Sequence, residues 1–226
     1  MTTSPLISAP RLFTAVVGSH AYGLATPTSD VDLFGVSVLP TRRLVGLNPP
    51  RAEALTYHSV GAEQDITVHE VGKFLALALK GNPSVVETFW LPEYLEVSPS
   101  GRALLSLRRA VLSAHAVRSS YLGYCAAQAH GAKHKAEARR PKFGTHLYRL
   151  AEQARGLWLT GDLTVQVSDP DGARAFGQQV ADGDLDVVED LISDLNDVFD
   201  RPTPLPGTPD TITVNQWLLD LRRATF

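Results

Sequence analysis

The hydrophobic period of the chain changes near residue 98, and that change restricts the fold more than any single residue does. Before it, short β-branched runs alternate with turn residues, so Leu12–Val17, Val31–Val38, Ala54–Val60 and Gln64–Val68 each predict a strand. After it, apolar residues recur at helical spacing, which predicts helices over 100–112, 114–131, 142–159, 184–199 and 213–223. Two more helices come earlier. His69–Lys80 puts Val71, Phe74, Leu75, Ala78 and Leu79 on one stripe and ends in Gly81, and Asn82-Pro83 opens another through Val85, Val86, Phe89 and Trp90. Thr213-Val214-Asn215-Gln216 has the form of a capping box, and the Pro-rich run Arg201–Pro209 reads as an exposed turn or spacer. The expectation is an α/β (α+β) chain: a short mixed sheet flanked by helices over residues 1–97, then a helical region over 98–226, with the boundary at Val97–Gly101.

Composition removes several classes of function. With 44% apolar residues in a chain of 226, a sizeable core is available and global disorder is excluded. The 21 Lys+Arg against 24 Asp+Glu leave a net charge of −3, so the chain is not a generally basic coat for nucleic acid, and any polyanion is met by a local basic face. A single cysteine, Cys125, excludes an intramolecular disulfide framework and a Cys-based zinc site, and it suits a reducing compartment. The amino terminus lacks a charged segment followed by a continuous apolar stretch, and no window is apolar enough to span a bilayer. The protein is therefore expected in the cytoplasm, with no membrane partner.

The segment that carries chemistry is Val17–Leu33. It leaves a strand, turns at Gly18-Ser19, runs over a short helix and returns as a strand carrying Asp30 and Asp32. Residues i and i+2 of a strand share a face, so the two carboxylates point together while Val31 and Leu33 point to the core. Like charges this close raise one another's proton affinity unless a cation lies between them. Magnesium, with manganese as its alternative, suits oxygen donors and needs only one or two carboxylates when substrate phosphates complete its shell. Gly18 lets a phosphate approach the backbone, and Ser19 offers a hydroxyl and an N–H at a helix start. Ser29 divides between turn residue and ligand, and His20 between solvated turn and phosphate contact.

A strand, Gly-Ser, ten residues (His20–Ser29) and Asp-hydrophobic-Asp resembles the nucleotidyltransferases of the DNA polymerase β-type superfamily. The longer passages GSHAYGL, SDVDLFGV, DITVHEVGKF, KGNPSVVE and PKFGTHLYRLAEQA resemble a bacterial and phage subgroup of them, over residues 11–167. The resemblance implies a catalytic domain over 1–97 and a helical carboxy-terminal domain over 98–226 that closes the nucleotide cleft. It implies transfer of a nucleoside monophosphate from a nucleoside triphosphate to an acceptor hydroxyl, with release of pyrophosphate. Asp30 and Asp32 would bind both metal ions, and Asp65 would be the third metal-binding carboxylate that helps deprotonate the acceptor. An RNA 3′ end, a protein hydroxyl and a small molecule all remain open as acceptor.

On the helix from Lys142, the residues Lys142, His146, Arg149 and Gln153 fall on one arc beside the apolar arc of Phe143, Leu147, Leu150, Ala151, Ala154 and Trp158. That stripe is either a solvated face or a set of cations, Lys142, His146 and Arg149, for the triphosphate. Other readings stand beside these. Asp30-Val31-Asp32 also fits a solvated strand end or a sugar-nucleotide glycosyltransferase, and Asp65 also fits a helix cap. Arg140 followed by His146, and Arg109 by His115, have the spacing of helical HEPN-type ribonucleases. The rival from another class is a non-catalytic partner with the same fold, either a nucleotide-binding module or an antitoxin-like protein that recognises a toxin-like partner.

Overall fold

Alternating apolar residues build a five-stranded mixed sheet. The computed structural model describes residues 4–60, 64–134 and 139–226. In chain order the elements are α1 (Pro5–Ser8), β1 (Arg11–Val17), α2 (Gly18–Ala21), β2 (Val31–Ser37), α3 (Thr41–Val45), β3 (Thr56–Ser59), β4 (Gln64–Glu70), α4 (Val71–Leu79), α5 (Pro83–Val86) and β5 (Glu96–Val97). Helices α6 (Pro99–Ser106), α7 (Ala114–His134), α8 (Arg140–Thr160), α9 (Pro170–Ala181), α10 (Asp186–Phe199) and α11 (Thr211–Ala224) follow. The chain divides into two compact units, one of Met1–Leu79, Thr88–Val111 and Pro209–Phe226, the other of Lys80–Glu87 and Leu112–Thr208. Among the described residues, no helix is long and apolar enough to cross a membrane.

In the first unit the strand order is β3-β4-β2-β1-β5. Strands β2 and β4 run parallel, and the other pairs are antiparallel. One face carries a ladder of rings: Phe13 meets Phe34 at 6.4 Å, Phe74 of α4 at 5.8 Å and Tyr94 at 5.6 Å between centroids. Truncating such a ring to Ala costs roughly 3–5 kcal/mol. The other face packs Val68 and Ile66 against Leu6 of α1 and Leu39. Helix α11 fastens to this unit. The Thr41 N–H donates to the Thr225 carbonyl at 2.9 Å, and Arg222 pairs with the buried Glu70 at 2.7 Å.

In the second unit α7 and α8 are 21 residues each. A Cβ at Gly144 would sit 2.9 Å from the Gly177 Cα, so α8 and α9 approach as closely as two glycines allow. Leu147, Leu150, Ala151, Ala154 and Trp158 are buried, as the helical arc predicts.

Several boundaries differ from expectation for identifiable reasons. Strand β4 continues through His69 and Glu70, where the sequence predicts helix, because the ladder pairs Val36 with His69, Ser37 with Glu70 and Thr56 with His69. The helix therefore starts at Val71, and Gly81 stops it in the left-handed conformation with φ of 70°. The Ala54–Val60 strand is shortened by a 3-10 turn at Ala52–Leu55. Only Pro83–Val86 is α-helical after Asn82, and Glu87–Phe89 tightens to a 3-10 turn. Helix α11 is capped by Asp210, whose carboxylate accepts the Thr213 N–H at 3.0 Å, so Thr213 lies inside the first turn instead of capping it. Helix α9 does not stand out by its apolar spacing, although Asp169-Pro170 is a capping signal: the Asp169 carboxylate accepts the Gly172 N–H at 2.9 Å. The Arg201–Pro209 run is more than a spacer. Leu205 is buried, the Arg201 carbonyl accepts from the Trp158 indole at 2.9 Å, and the Thr203 hydroxyl donates to the Trp158 carbonyl at 2.6 Å.

Candidate active site

Three chain segments of the first unit meet at one end of the sheet. β1 ends at Val17, which lies opposite Asp32 in the antiparallel ladder, and the next residue, Gly18, takes φ of 68°. A Cβ on Gly18 would collide with the Asp32 carboxylate. Glycine is required here twice, for the left-handed backbone and for the close approach of that carboxylate.

Beyond Gly18 the chain closes the single turn of α2. The Tyr22 N–H donates to the Gly18 carbonyl at 3.1 Å and the Leu24 N–H to the Ser19 carbonyl at 2.9 Å, while Ala21 and Tyr22 are buried beneath the bend. Ser19 is half-buried on this turn. The returning loop is tied by Ser29, whose hydroxyl accepts the Thr26 N–H at 2.9 Å and lies 3.1 Å from the Thr26 hydroxyl. The His20 Nε2 stands 3.4 Å from the Ser29 carbonyl. Both residues thus shape the entry to β2.

Asp32 and Asp65 are brought together. They are direct partners across the parallel pair β2 and β4, so their side chains leave the same face of strands about 4.8 Å apart. Both are half-buried. Asp30 is exposed and lies one residue before β2 begins. Behind Asp32 on the same face, the Phe34 ring meets His69 at 5.3 Å. Burial, helped by the nearby Lys73 charge, pulls the His69 imidazole down to about 4, and its Nδ1 lies 2.9 Å from the Thr56 hydroxyl. The carboxylates therefore stand on a rigid floor with no added positive charge from His69 at neutral pH.

Among the described residues, no three His, Cys, Asp or Glu side chains gather into a group able to hold a metal ion alone. The donors present are two hard carboxylates beside a backbone bend. That set fits magnesium, which takes one or two carboxylates and completes its shell with water and phosphate oxygens.

The stripe on α8 lies in the second unit and splits. Lys142 is exposed, His146 is half-buried, and Arg149 and Gln153 are buried, with Arg149 only 5% exposed. Arg149 donates to Glu87 at 2.6 Å and to the Gln153 Oε1 at 3.0 Å, and the Gln153 amide reaches the same Glu87 oxygen at 3.3 Å. The arc expected to be lined by solvent or phosphate thus turns half inward, because Glu87, to which no sequence pattern gives a role, supplies a buried counter-charge. Burial is also the leading reason that His146 drops to about 4, followed by the charges of Arg149 and Lys142. Burial pushes the Cys125 thiol up to about 12 against the pull of Arg149, which leaves it chemically quiet.

The RNA repair pathway DNA polymerase beta family matches residues 8–168 of this chain. The chain belongs to that family. The match spans β1 to α8, so the Gly18 bend, Asp30, Asp32 and Asp65 all lie within the part shared with the RNA repair pathway DNA polymerase beta family, and it stops one residue before the Asp169 cap of α9. A search of curated proteins returns no match.

Proposed function

We propose that this chain is a magnesium-dependent nucleotidyltransferase that moves a nucleoside monophosphate from a nucleoside triphosphate onto the hydroxyl of an RNA end. The observation that carries the reading is the in-register pairing of Asp32 with Asp65 beside the Gly18 bend. Membership of a DNA polymerase β-type family supports the transfer chemistry, and that family's description as an RNA repair pathway favours RNA among the open acceptors.

In this reading Asp32 and Asp65 would hold the cation, with the exposed Asp30 as a further carboxylate at the same end of β2. Bound magnesium supplies charge neutralisation on the phosphates and stabilises the leaving pyrophosphate. The Gly18 backbone lets the triphosphate come close, and Ser19 offers its hydroxyl to a phosphate oxygen. Asp65 accepts the proton of the acceptor hydroxyl; that oxygen forms the new bond to the α-phosphorus as the bond to the pyrophosphate oxygen breaks. Of the α8 stripe, Arg149 serves the interior of the second unit through Glu87.

The test is incubation of the chain with magnesium, each nucleoside triphosphate in turn and a short RNA bearing a free 3′ hydroxyl, reading pyrophosphate release and product length. Extension by one or more residues, abolished in Asp32→Asn and in Asp65→Asn, is the expected result. Nucleotide binding without pyrophosphate release on RNA, protein or small-molecule acceptors would instead support the non-catalytic module.

A further inference from the structure

The Phe89–Leu91 segment, Tyr94, α6 and Arg108 just after it line an open surface pocket of about 520 Å³ in the first unit, unused by the proposed transfer. Its walls combine flat rings and guanidinium groups. Arg108 lies over the Trp90 ring at 5.7 Å from the centroid, and Arg102 lines the pocket with one N–H held on the Val97 carbonyl at 3.1 Å. Among the described residues, neither guanidinium forms an ion pair with a carboxylate. Val97–Ala136 contains no Asp or Glu, and the carboxylates nearest the pocket in sequence are Glu93 and Glu96. Two guanidinium groups thus line one pocket without forming an ion pair.

The floor is fixed. Trp90 meets Phe89 at 6.2 Å and Phe89 meets Phe74 at 5.1 Å, which continues the ring ladder to Phe13 and Phe34. The Tyr94 phenol donates to the Thr88 carbonyl at 2.7 Å, and burial raises it to about 12, so it stays neutral. An open pocket of this size admits one face of a small planar ligand and its charged group. Its chemistry selects the ligand: a guanidinium on an indole offers a planar surface to a nucleobase, and two forked cations match a phosphate. An apolar ligand would leave those charges unanswered, and a bare phosphate would not use the rings.

We propose that this pocket holds one nucleotide of single-stranded RNA, the base on the Trp90–Arg108 stack and the phosphate on Arg102 and Arg108. The choice of RNA over a free nucleotide rests on the proposed function; the pocket chemistry does not.

The experiment measures fluorescence anisotropy of a labelled short single-stranded oligoribonucleotide with the full chain, without magnesium or nucleoside triphosphate, and with AMP as competitor. Arg102→Gln/Arg108→Gln, both at exposed positions, is expected to weaken binding at least tenfold. The salt slope should also flatten by about 0.7 for each phosphate that the variant no longer neutralises. Arg108→Lys, which keeps the charge and removes the planar guanidinium, is expected to weaken binding about threefold. Unchanged affinity and slope in the double variant, or no oligoribonucleotide binding by the wild type, would overturn the pocket. Competition by AMP at concentrations below those of the oligonucleotide would overturn the single-strand assignment. RNA capture without transfer keeps the pocket while the transferase reading fails; transfer onto RNA with undiminished capture by the double variant does the reverse.

Discussion

Two charged clusters, one in each unit, use similar side chains to opposite ends. In the second unit Glu87, 2% exposed, is answered by Arg149 and Gln153 within hydrogen-bonding distance, so the charges of Glu87 and Arg149 balance, although the buried Arg149 Nε finds no hydrogen-bond partner. In the first unit Asp32 and Asp65 face each other as like charges at a half-open sheet end against a glycine bend. The two arrangements differ in burial and charge: Arg149 balances Glu87 in the interior, whereas two carboxylates stand side by side at a half-open sheet end, where the proposed function puts a cation. The difference is measurable.

The largest expected effect tests the open pair. On the proposed function, Asp32→Asn reduces turnover by a factor on the order of a thousand, as removal of a preorganised charge at a reacting phosphate does. Its thermal midpoint should hold steady or rise, because like-charge repulsion with Asp65 is relieved. A large drop in midpoint would make Asp32 a structural residue like Glu87. Next comes the closed pair: Arg149→Met leaves the buried Glu87 without its guanidinium counter-charge and should cost roughly 3–5 kcal/mol in denaturant unfolding. Pairing it with Glu87→Leu should restore most of that stability, whereas an additive double variant would break the comparison.

Gly18→Ala sharpens the boundary between the two kinds of residue. Its φ of 68° and the collision with the Asp32 carboxylate predict a stability decrease of about 1–2 kcal/mol, together with a disproportionate decrease in turnover. A separate effect concerns pH. His69 and His146 both sit near 4 when folded and near 6.5 when unfolded, so the unfolded chain binds more protons between those values. Stability is fully present above about pH 6.5 and falls as the pH drops toward 4, by on the order of 1–3 kcal/mol for each imidazole. Thermal midpoints measured from pH 7 to 4 should fall less steeply in His146→Gln. The smallest effect is that of Ser29→Ala, which removes a turn hydrogen bond worth about 1 kcal/mol and leaves the KM for nucleotide unchanged. A raised KM would make Ser29 a substrate ligand after all.

The elements that bear the chemistry were legible because their signals are local. Gly18-Ser19, the spacing to Asp30 and Asp32, and the β-branched runs around them depend on residues within a turn or a strand of one another. Misreadings fell where distant partners intervene. His69 and Glu70 look helical beside Val71 and Phe74, yet β2 on one side and β3 on the other hold His69 in the sheet. Arg149 looks like part of a solvent stripe by its angle on the helix, yet Glu87, 62 residues away, draws it inward.

The sequence alone determined that a strand, a glycine bend and a second strand bearing Asp32 exist, since backbone propensity and side-chain alternation act over a few residues; Asp30, expected on that strand beside Asp32, lies just before it. The family resemblance singled out Asp65; only the tertiary structure decided the register that pairs it with Asp32, that α11 returns to Glu70 in the first unit, and that Arg149 is an interior cation. Strand register, helix docking and the partner of a buried charge are set by contacts between residues far apart in the chain, where the low dielectric of the interior makes an unanswered charge costly.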